Sequence, residues 1–486
     1  GYPADGFSLP YQIAISWGSL LVAILGLWVA RRNLLFYFSD KVAALSFIAI
    51  VGGSNYLNYG SVDAAMTHNW LFTAYSLLIY CTIRFYQSPS LKWAMLIGLF
   101  IGWAMLTRPT EVIALLIPLF WGVYNRKTLR ERGGLFVQQY KKIAAAVAVA
   151  ALVFSIQIFY WKWVSGEWLV YSYQEQGFSW LKPHVTDVLF SYKAGWLLYS
   201  PVMCLGVWGM VALRRTQPDL FPVMLLFLPA FFYIVSAWDI WWYGGSLGSR
   251  AMVQSYAVWL FPMAALIQTA LRQRWSRWGL YVFLLFCSWY NAWWTHQAHK
   301  GRYFQSEQIN GRYFWKVVGR DFDPELYKWL DNPEVYSGKT RKNSRVLYQN
   351  DFEKDTVGVS TDLPIQGLKS CMLHKDQQFS PDFIVPLKPG EGEWLRTELT
   401  FSSNPNEPEY WKMCQMIVQF YNGETELKNR MIRLQRHVNG NEQRLVYLDV
   451  CIPPPPLTHV KVVFWNSESD KVVRIDNLRI EAFDGE

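Results

Sequence analysis

The stretch 238–250, WDIWWYGGSLGSR, lies between two apolar segments, Leu220 to Ala237 and Met252 to Leu271. Each flank is about as long as the 17 to 25 residues that cross a bilayer core of roughly 30 Å. Between them stand Asp239, Trp238, Trp241, Trp242, the pair Gly244 and Gly245, then Gly248 and Arg250. Tryptophan beside polar and flexible residues is the composition of a membrane–water interface. Read as an interfacial loop, this stretch sets the fold class of everything around it.

Working outward, similar apolar runs recur at Tyr11 to Ala30, Val42 to Tyr59, Asn69 to Phe85, Trp93 to Thr107, Glu111 to Tyr124, Ile143 to Trp163, Trp196 to Leu213 and Trp278 to Trp294. With the two flanks this makes about ten spans. Arg31, Arg32 and Lys41 mark the first loop, Arg84 and Lys92 the third, and Arg126, Lys127, Arg130, Arg132, Lys141 and Lys142 the fifth. Arg214 and Arg215, then Arg272, Arg274 and Arg277, mark the seventh and ninth. Basic odd loops belong in the cytoplasm, so the even loops, 238–250 among them, and the C-terminal half face outward.

Two runs, Trp93 to Thr107 and Glu111 to Tyr124, are short for a full crossing at 1.5 Å per residue. They are expected as half-depth helices meeting at Thr107-Arg108-Pro109-Thr110-Glu111, with Pro109 in a first turn and Thr107 as its cap.

The 486 residues are 52% hydrophobic and 17% aromatic, with 26 tryptophans. The mean hydropathy is nevertheless only +0.06, which points to a membrane half joined to a polar half. The net charge of +9 sits in short clusters between apolar runs, a pattern that excludes a nucleic-acid stripe. Cys81, Cys204 and Cys287 lie in apolar runs; Cys371, Cys414 and Cys451 lie in the polar half, where three permit at most one internal disulfide. No spacing suggests a metal site.

The fold class expected is an α-helical polytopic membrane domain over 1–299, an interfacial linker with a short helix over 300–344, and an all-β sandwich or jelly roll over 345–486. In the last part WLRTELTF, CQMIVQFY, RLVYLDVCI, VKVVFWN and VVRIDNLRIEAF alternate as strands do, separated by Asn, Gly, Pro and Ser. In the linker, DPELYKWLDNPEVY reads as an amphipathic helix.

Charged groups at membrane depth are costly, and mark candidate sites. Arg108 and Glu111, three apart, can share a helix face, either as a self-neutralising pair or with Arg108 free for a lipid phosphate. Asp63 and His68, in GSVDAAMTHNW, precede a span; Asp63 is a candidate acid/base or a helix cap, and His68 a substrate contact or an interfacial anchor. Lys193 is a candidate phosphate contact in a long aromatic outer loop, with an aromatic belt as the alternative. Arg250 runs against the positive-inside trend and is either a phosphate ligand or a snorkelling side chain. Asp239 is a candidate substrate contact or a loop cap.

In their order, GLFIGWAMLTRPTE, MTHNWLFTAYSLLIY, FSYKAGWLLYSP and WWYGGSLGSR resemble the GT-C superfamily of polytopic glycosyltransferases, most closely its dolichyl-phosphate-mannose-mannosyltransferase-like bacterial branch. The resemblance covers Gly1 to His299. It implies a polyprenyl-phosphate sugar as donor, with no other cofactor and no metal. The acceptor would be a periplasmic glycan, lipid or protein. The setting would be a bacterial inner membrane with the C-terminal domain in the periplasm. It also implies a further span and a loop bearing the principal acid upstream of Gly1, so that activity is expected of the full-length protein. The ending IDNL, residues 475–478, is similar to that of jelly-roll modules on carbohydrate-active proteins. Two other classes remain open. One is a non-catalytic scaffold presenting the sandwich to an envelope complex; the other is a transporter, disfavoured because one broken helix pair has no counterpart.

Overall fold

The computed structural model describes residues 2–173, 175–388, 390–404, 407–438, 440 and 442–486. Gly1 and Gln174, which fall in the stretches read above, lie outside the described residues. The chain divides into two compact units, Gly1–Glu307 and Gln308–Glu486. The segment 300–344 is thus split between them.

The first unit is helical: α1 (Leu9–Leu34), α2 (Asp40–Phe47), α3 (Thr67–Gln87), α4 (Leu91–Thr107), α5 (Leu116–Phe120), α6 (Arg126–Gln138), α7 (Tyr140–Ser165), α8 (Val185–Phe190), α9 (Trp196–Tyr199), α10 (Cys204–Thr216), α11 (Phe221–Ala237), α12 (Tyr256–Ala270) and α13 (Arg274–His296). Each apolar run read from the sequence carries helix. By length and composition, Leu9–Leu34, Tyr140–Ser165 and Arg250–Ala270 are able to cross a membrane, while Leu91–Thr107, Pro109–Phe120 and Phe221–Ala237 are shorter apolar helices.

Local chemistry sets the ends. Asn125 and Thr128 form a reciprocal capping box at the start of α6, and α7 stops at Gly166 in the left-handed region. Helix α4 packs along α7 through small residues. A Cβ on Gly98 would stand 2.1 Å from the Ala146 carbonyl oxygen, and one on Gly102 would stand 2.8 Å from Val153 Cβ. Glycines four apart let two backbones approach where lipid offers no hydrophobic drive.

The break after α4 has a steric cause. Pro109 forces its predecessor out of the helical region, and Arg108 is extended at φ −152°, ψ 122°. Arg108, rather than the expected Thr107, therefore occupies the N-cap position of the 3₁₀ helix Pro109–Leu115. The Thr107 hydroxyl instead donates back to the Trp103 carbonyl at 2.9 Å.

Among its described residues the second unit contains α14 (Gly311–Val317), a 3₁₀ turn over Pro324–Asp331, and ten strands: β1 (Lys342–Asn350), β2 (Val359–Ser360), β3 (Ser370–Leu373), β4 (Phe383–Pro386), β5 (Trp394–Asn404), β6 (Gln415–Asn422), β7 (Thr425–Arg433), β8 (Arg444–Cys451), β9 (His459–Trp465) and β10 (Val472–Asp484). One antiparallel sheet runs β2-β3-β10-β5-β8, with β1 sharing the edge of β10; the other runs β4-β9-β6-β7. Val473, Ile475, Leu478 and Ile480 of β10 are buried with Leu399 and Phe401 of β5 and Val460, Val462 and Phe464 of β9 in one core. Cys371, Cys414 and Cys451 are all free thiols.

Acidic residues of the preceding segment clamp onto this sandwich. Glu325 binds Arg444 at 2.6 Å, Asp331 binds Arg433 at 2.6 Å and also Arg436, and Glu334 takes Lys428 at 2.9 Å and Arg430 at 2.6 Å.

Candidate functional site

The loop 238–250 folds back on two neighbours. Its turn is built from consecutive left-handed residues, Tyr243 (φ 54°), Gly244 and Gly245, followed by Gly248 (φ 65°). A side chain at Gly248 would be strained, and its Cβ would meet Tyr199 Cβ at 3.1 Å. Leu247 N–H donates to the Tyr59 hydroxyl at 2.9 Å, and the Asn55 amide donates to the Leu247 carbonyl at 3.1 Å. At the loop's start the Asp239 carboxylate accepts from Ser179 Oγ at 2.6 Å and from Gly177 N–H at 2.9 Å. Those bonds, the Ser179 hydroxyl first, hold the Asp239 carboxyl below its ordinary range. Asp239 thus ties together two loops, 171–179 and 238–250.

These loops wall a cavity of about 720 Å³ with α4, α7, α11 and the 109–113 turn. Arg108, Glu111 and Arg250 line it, among Tyr171, Tyr173, Phe178, Trp161, Trp238 and Tyr243. Leu106, Ile113, Phe231, Ile234 and Val235 complete an aliphatic side. Asp63, Lys193, His68 and Asp239 do not line it. The Lys193 ammonium instead lies 4.7 Å from the Trp242 ring centre.

Arg108 and Glu111 do not form the direct pair that their spacing allowed. The extended backbone at Arg108 takes the two side chains off a common helix face, and buried neutral groups connect them. Arg108 Nη2 donates to Thr67 Oγ1 at 3.1 Å and reaches His68 Nε2 at 3.3 Å. His68 Nδ1 is 2.9 Å from Gln254 Oε1, and Gln254 Nε2 donates to Glu111 Oε1 at 3.1 Å. Tyr75 Oη donates to the other carboxylate oxygen at 2.6 Å. Gln254 must accept with its oxygen, so His68 carries its proton on Nδ1 and receives Arg108 at Nε2. His68 is 1% exposed and Glu111 2%, so this is a fully internal network. Glu111 is a satisfied buried group, and His68 orients Arg108.

Arg250 N–H donates to Ser246 Oγ at 3.1 Å, while its Nη1 meets only the soft Met66 sulfur at 3.5 Å. Its Nε is buried without a hydrogen-bond partner. Among the described residues neither Arg108 nor Arg250 is ion-paired. Two guanidinium groups, neither in a direct ion pair, share with the Glu111 carboxylate a cavity of aromatic and aliphatic walls, and can receive an anionic headgroup.

The sequence reading missed Gln254, Tyr75 and Trp161. Gln254 had a readable signal, a lone amide at the start of an apolar run. Tyr171, Tyr173 and Phe178 belong to the long aromatic outer loop read from the sequence, and they line the cavity. A second cluster was also missed. Asn58 Nδ2 donates to Asp63 Oδ2 at 3.1 Å, and His299 Nε2 is 2.6 Å from Asn58 Oδ1 and 3.9 Å from Asp63 Oδ2.

Residues 10–161 match the family described as dolichyl-phosphate-mannose-protein mannosyltransferase. That range contains GLFIGWAMLTRPTE and MTHNWLFTAYSLLIY but not the loop 238–250. No curated protein matches the chain. Among solved structures, the arabinosyltransferase EmbB from Mycobacterium smegmatis is similar over 98% of this chain and 59% of its own length, at 10% identity and a TM-score of 0.39. A family 16 carbohydrate-binding module is similar over 25% of this chain and 82% of its own, at 14% identity and a TM-score of 0.18. Over residues 10–161 the helical unit is thus similar to the dolichyl-phosphate-mannose-protein mannosyltransferases.

Proposed function

We propose that the chain is an integral-membrane glycosyltransferase that takes a sugar from a polyprenyl-phosphate donor and passes it to a glycan, lipid or protein acceptor. The observation that carries this reading is the pair Arg108 and Arg250, neither in a direct ion pair, in one cavity of largely apolar and aromatic walls. A lipid phosphate supplies both the negative charge and the apolar chain that such a cavity accepts. The acceptor hydroxyl attacks the anomeric carbon, the bond to the phosphate oxygen breaks, and the phosphate leaves with the electron pair. Arg108 and Arg250 stabilise the charge as it develops. By the basic-loop pattern the reaction lies on the outer face of a bacterial inner membrane, and the C-terminal unit follows the last span on the periplasmic side.

The test is binding of a polyprenyl phosphate to the chain in lipid nanodiscs. Hydrogen bonds to a charged group contribute about 1.5 to 3 kcal/mol, so Arg108→Ala and Arg250→Ala are each expected to weaken binding roughly 10- to 100-fold. Unchanged affinity in both variants overturns the phosphate assignment. A wild-type chain that binds the lipid but moves no sugar favours the scaffold reading.

A further inference from the structure

We propose that the cytoplasmic end of the groove between α4 and α7 binds an anionic phospholipid of the inner leaflet. One acyl chain lies in an apolar slot, and the phosphate lies between Arg132 and Lys142. This site is separate from the donor cavity and does not depend on the glycosyl-transfer reading.

The slot is a second cavity of the helical unit, about 430 Å³, walled by α4, α7, the 112–119 segment and the end of α3. Apart from Tyr86, whose hydroxyl donates to the Pro118 carbonyl, every residue lining it is apolar. The lining runs from Ala94 to Met105 on α4 and from Ile143 to Phe154 on α7, each about 16 Å of helix. That is about half of a bilayer core of roughly 30 Å, the depth of one leaflet. Further along the same helices Leu106 and Gln157 line the donor cavity instead, and the two cavities share no lining residue. Val147, in the wall of the slot, is 64% exposed, so a lipid reaches the slot from the side.

Cations gather at the end of the slot away from the donor cavity. The Arg132 guanidinium lies 3.3 Å from the ring centre of Tyr86, and Arg132 shares a face of α6 with Phe136, which also lines the slot. Its Nη2 donates to the Trp121 carbonyl, while Nη1 is buried without a hydrogen-bond partner. Lys142, next to the lining residue Ile143, donates to the Pro89 carbonyl at 2.8 Å and keeps further donors. Tyr86 and Pro89 are close in the chain, so the two cations meet at one corner. Arg84 and Lys92 lie 5.7 and 5.0 Å from the Trp93 ring centre, beside the lining residues Phe85 and Ala94. Among the described residues none of these four cations is ion-paired, and Glu131, the acid of α6, pairs with Lys127 at 4.0 Å.

By the basic-loop pattern this end lies at the cytoplasmic surface, at headgroup level. A free phosphate leaves the slot empty. A polyprenyl tail descending from the donor cavity leaves the cations without a counter-charge. An anionic phospholipid satisfies both the charge and the apolar depth.

The experiment titrates dioleoyl phosphatidylglycerol, or dioleoyl phosphatidylcholine as the zwitterionic control, into the whole chain in detergent and reads bound lipid by native mass spectrometry. Each cation at a lipid surface is worth about fivefold in affinity for an anionic headgroup, so the wild-type chain is expected to prefer phosphatidylglycerol roughly 30-fold. Arg132→Gln combined with Lys142→Gln should abolish that preference. Val147→Trp, at an exposed position, should fill the slot and weaken both phospholipids at least about 10-fold, the loss expected from two buried methylenes. Polyprenyl phosphate should bind every variant as it binds the wild-type chain, which shows that the variants are folded. Equal affinity of the wild-type chain for the two phospholipids overturns the proposal, as does a preference that survives the double variant. If Val147→Trp instead costs polyprenyl phosphate binding and spares phosphatidylglycerol, the slot belongs to the donor's chain and the phospholipid site is refuted.

Discussion

Gln254 shows how much one side chain can organise. Its oxygen accepts from His68 and its nitrogen donates to Glu111, so a neutral amide separates the Arg108 guanidinium from the carboxylate. Had Arg108 paired directly with Glu111, its charge would be cancelled; held through His68 and Gln254, it stays available in the cavity. Gln254→Leu leaves one buried nitrogen of His68 and one oxygen of Glu111 without partners. Each unsatisfied group costs about 1 to 3 kcal/mol. The variant in detergent is expected to unfold with roughly 2 to 6 kcal/mol less stability, and an unchanged unfolding midpoint would mean the network is not formed. The presence of Arg108, Glu111, His68 and Arg250 near one surface was legible from charge at membrane depth. The partners were not, because hydrogen bonds linking positions 186 residues apart leave no local pattern.

Among the elements, the α4–α7 contact is the one whose sequence signal is plainest. Gly98 and Gly102 are spaced to lie on one helix face, and the backbone of α7 passes directly over them. Gly98→Leu has no room, since its Cβ alone would overlap the Ala146 carbonyl. It is expected to separate α4 from α7, opening the wall from which Gln157 and Trp161 face the cavity. Gly98→Leu is therefore expected to unfold at a lower temperature in detergent than the wild-type chain, and an unchanged unfolding temperature would refute the close packing. The break between α4 and the next turn was equally readable, because Pro109 dictates the backbone before it. Its cap was misplaced by one residue, since the extended residue preceding proline is itself the N-cap.

At the scale of the molecule, each unit has its own core, and the C-terminal unit carries its own response to acid. His437 is largely buried, which lowers its pKa from the ordinary 6.5 to about 4. Above pH 6.5 the ring is neutral folded and unfolded alike. As pH falls from 6.5 to about 4 the unfolded chain takes up a proton that the folded unit refuses, so stability drops across that window, by up to roughly 3 kcal/mol. Denaturant unfolding of the C-terminal unit at pH 7 and pH 4.5 should show this loss, and His437→Gln should remove most of it; equal slopes in both proteins would exclude His437 as the cause. The amino-acid sequence by itself determined the two-part plan, apolar helices and then alternating strands, because periodicity and run length follow from local geometry and burial. It also singled out the loop 238–250, from which Trp238, Tyr243 and Arg250 line the cavity. The tertiary structure alone decided that Arg108 and Arg250 share a cavity while Lys193 turns to Trp242, and that Asp63 meets His299 across 236 residues of chain. Those pairings depend on which helices pack together, and no residue's neighbours along the chain encode that.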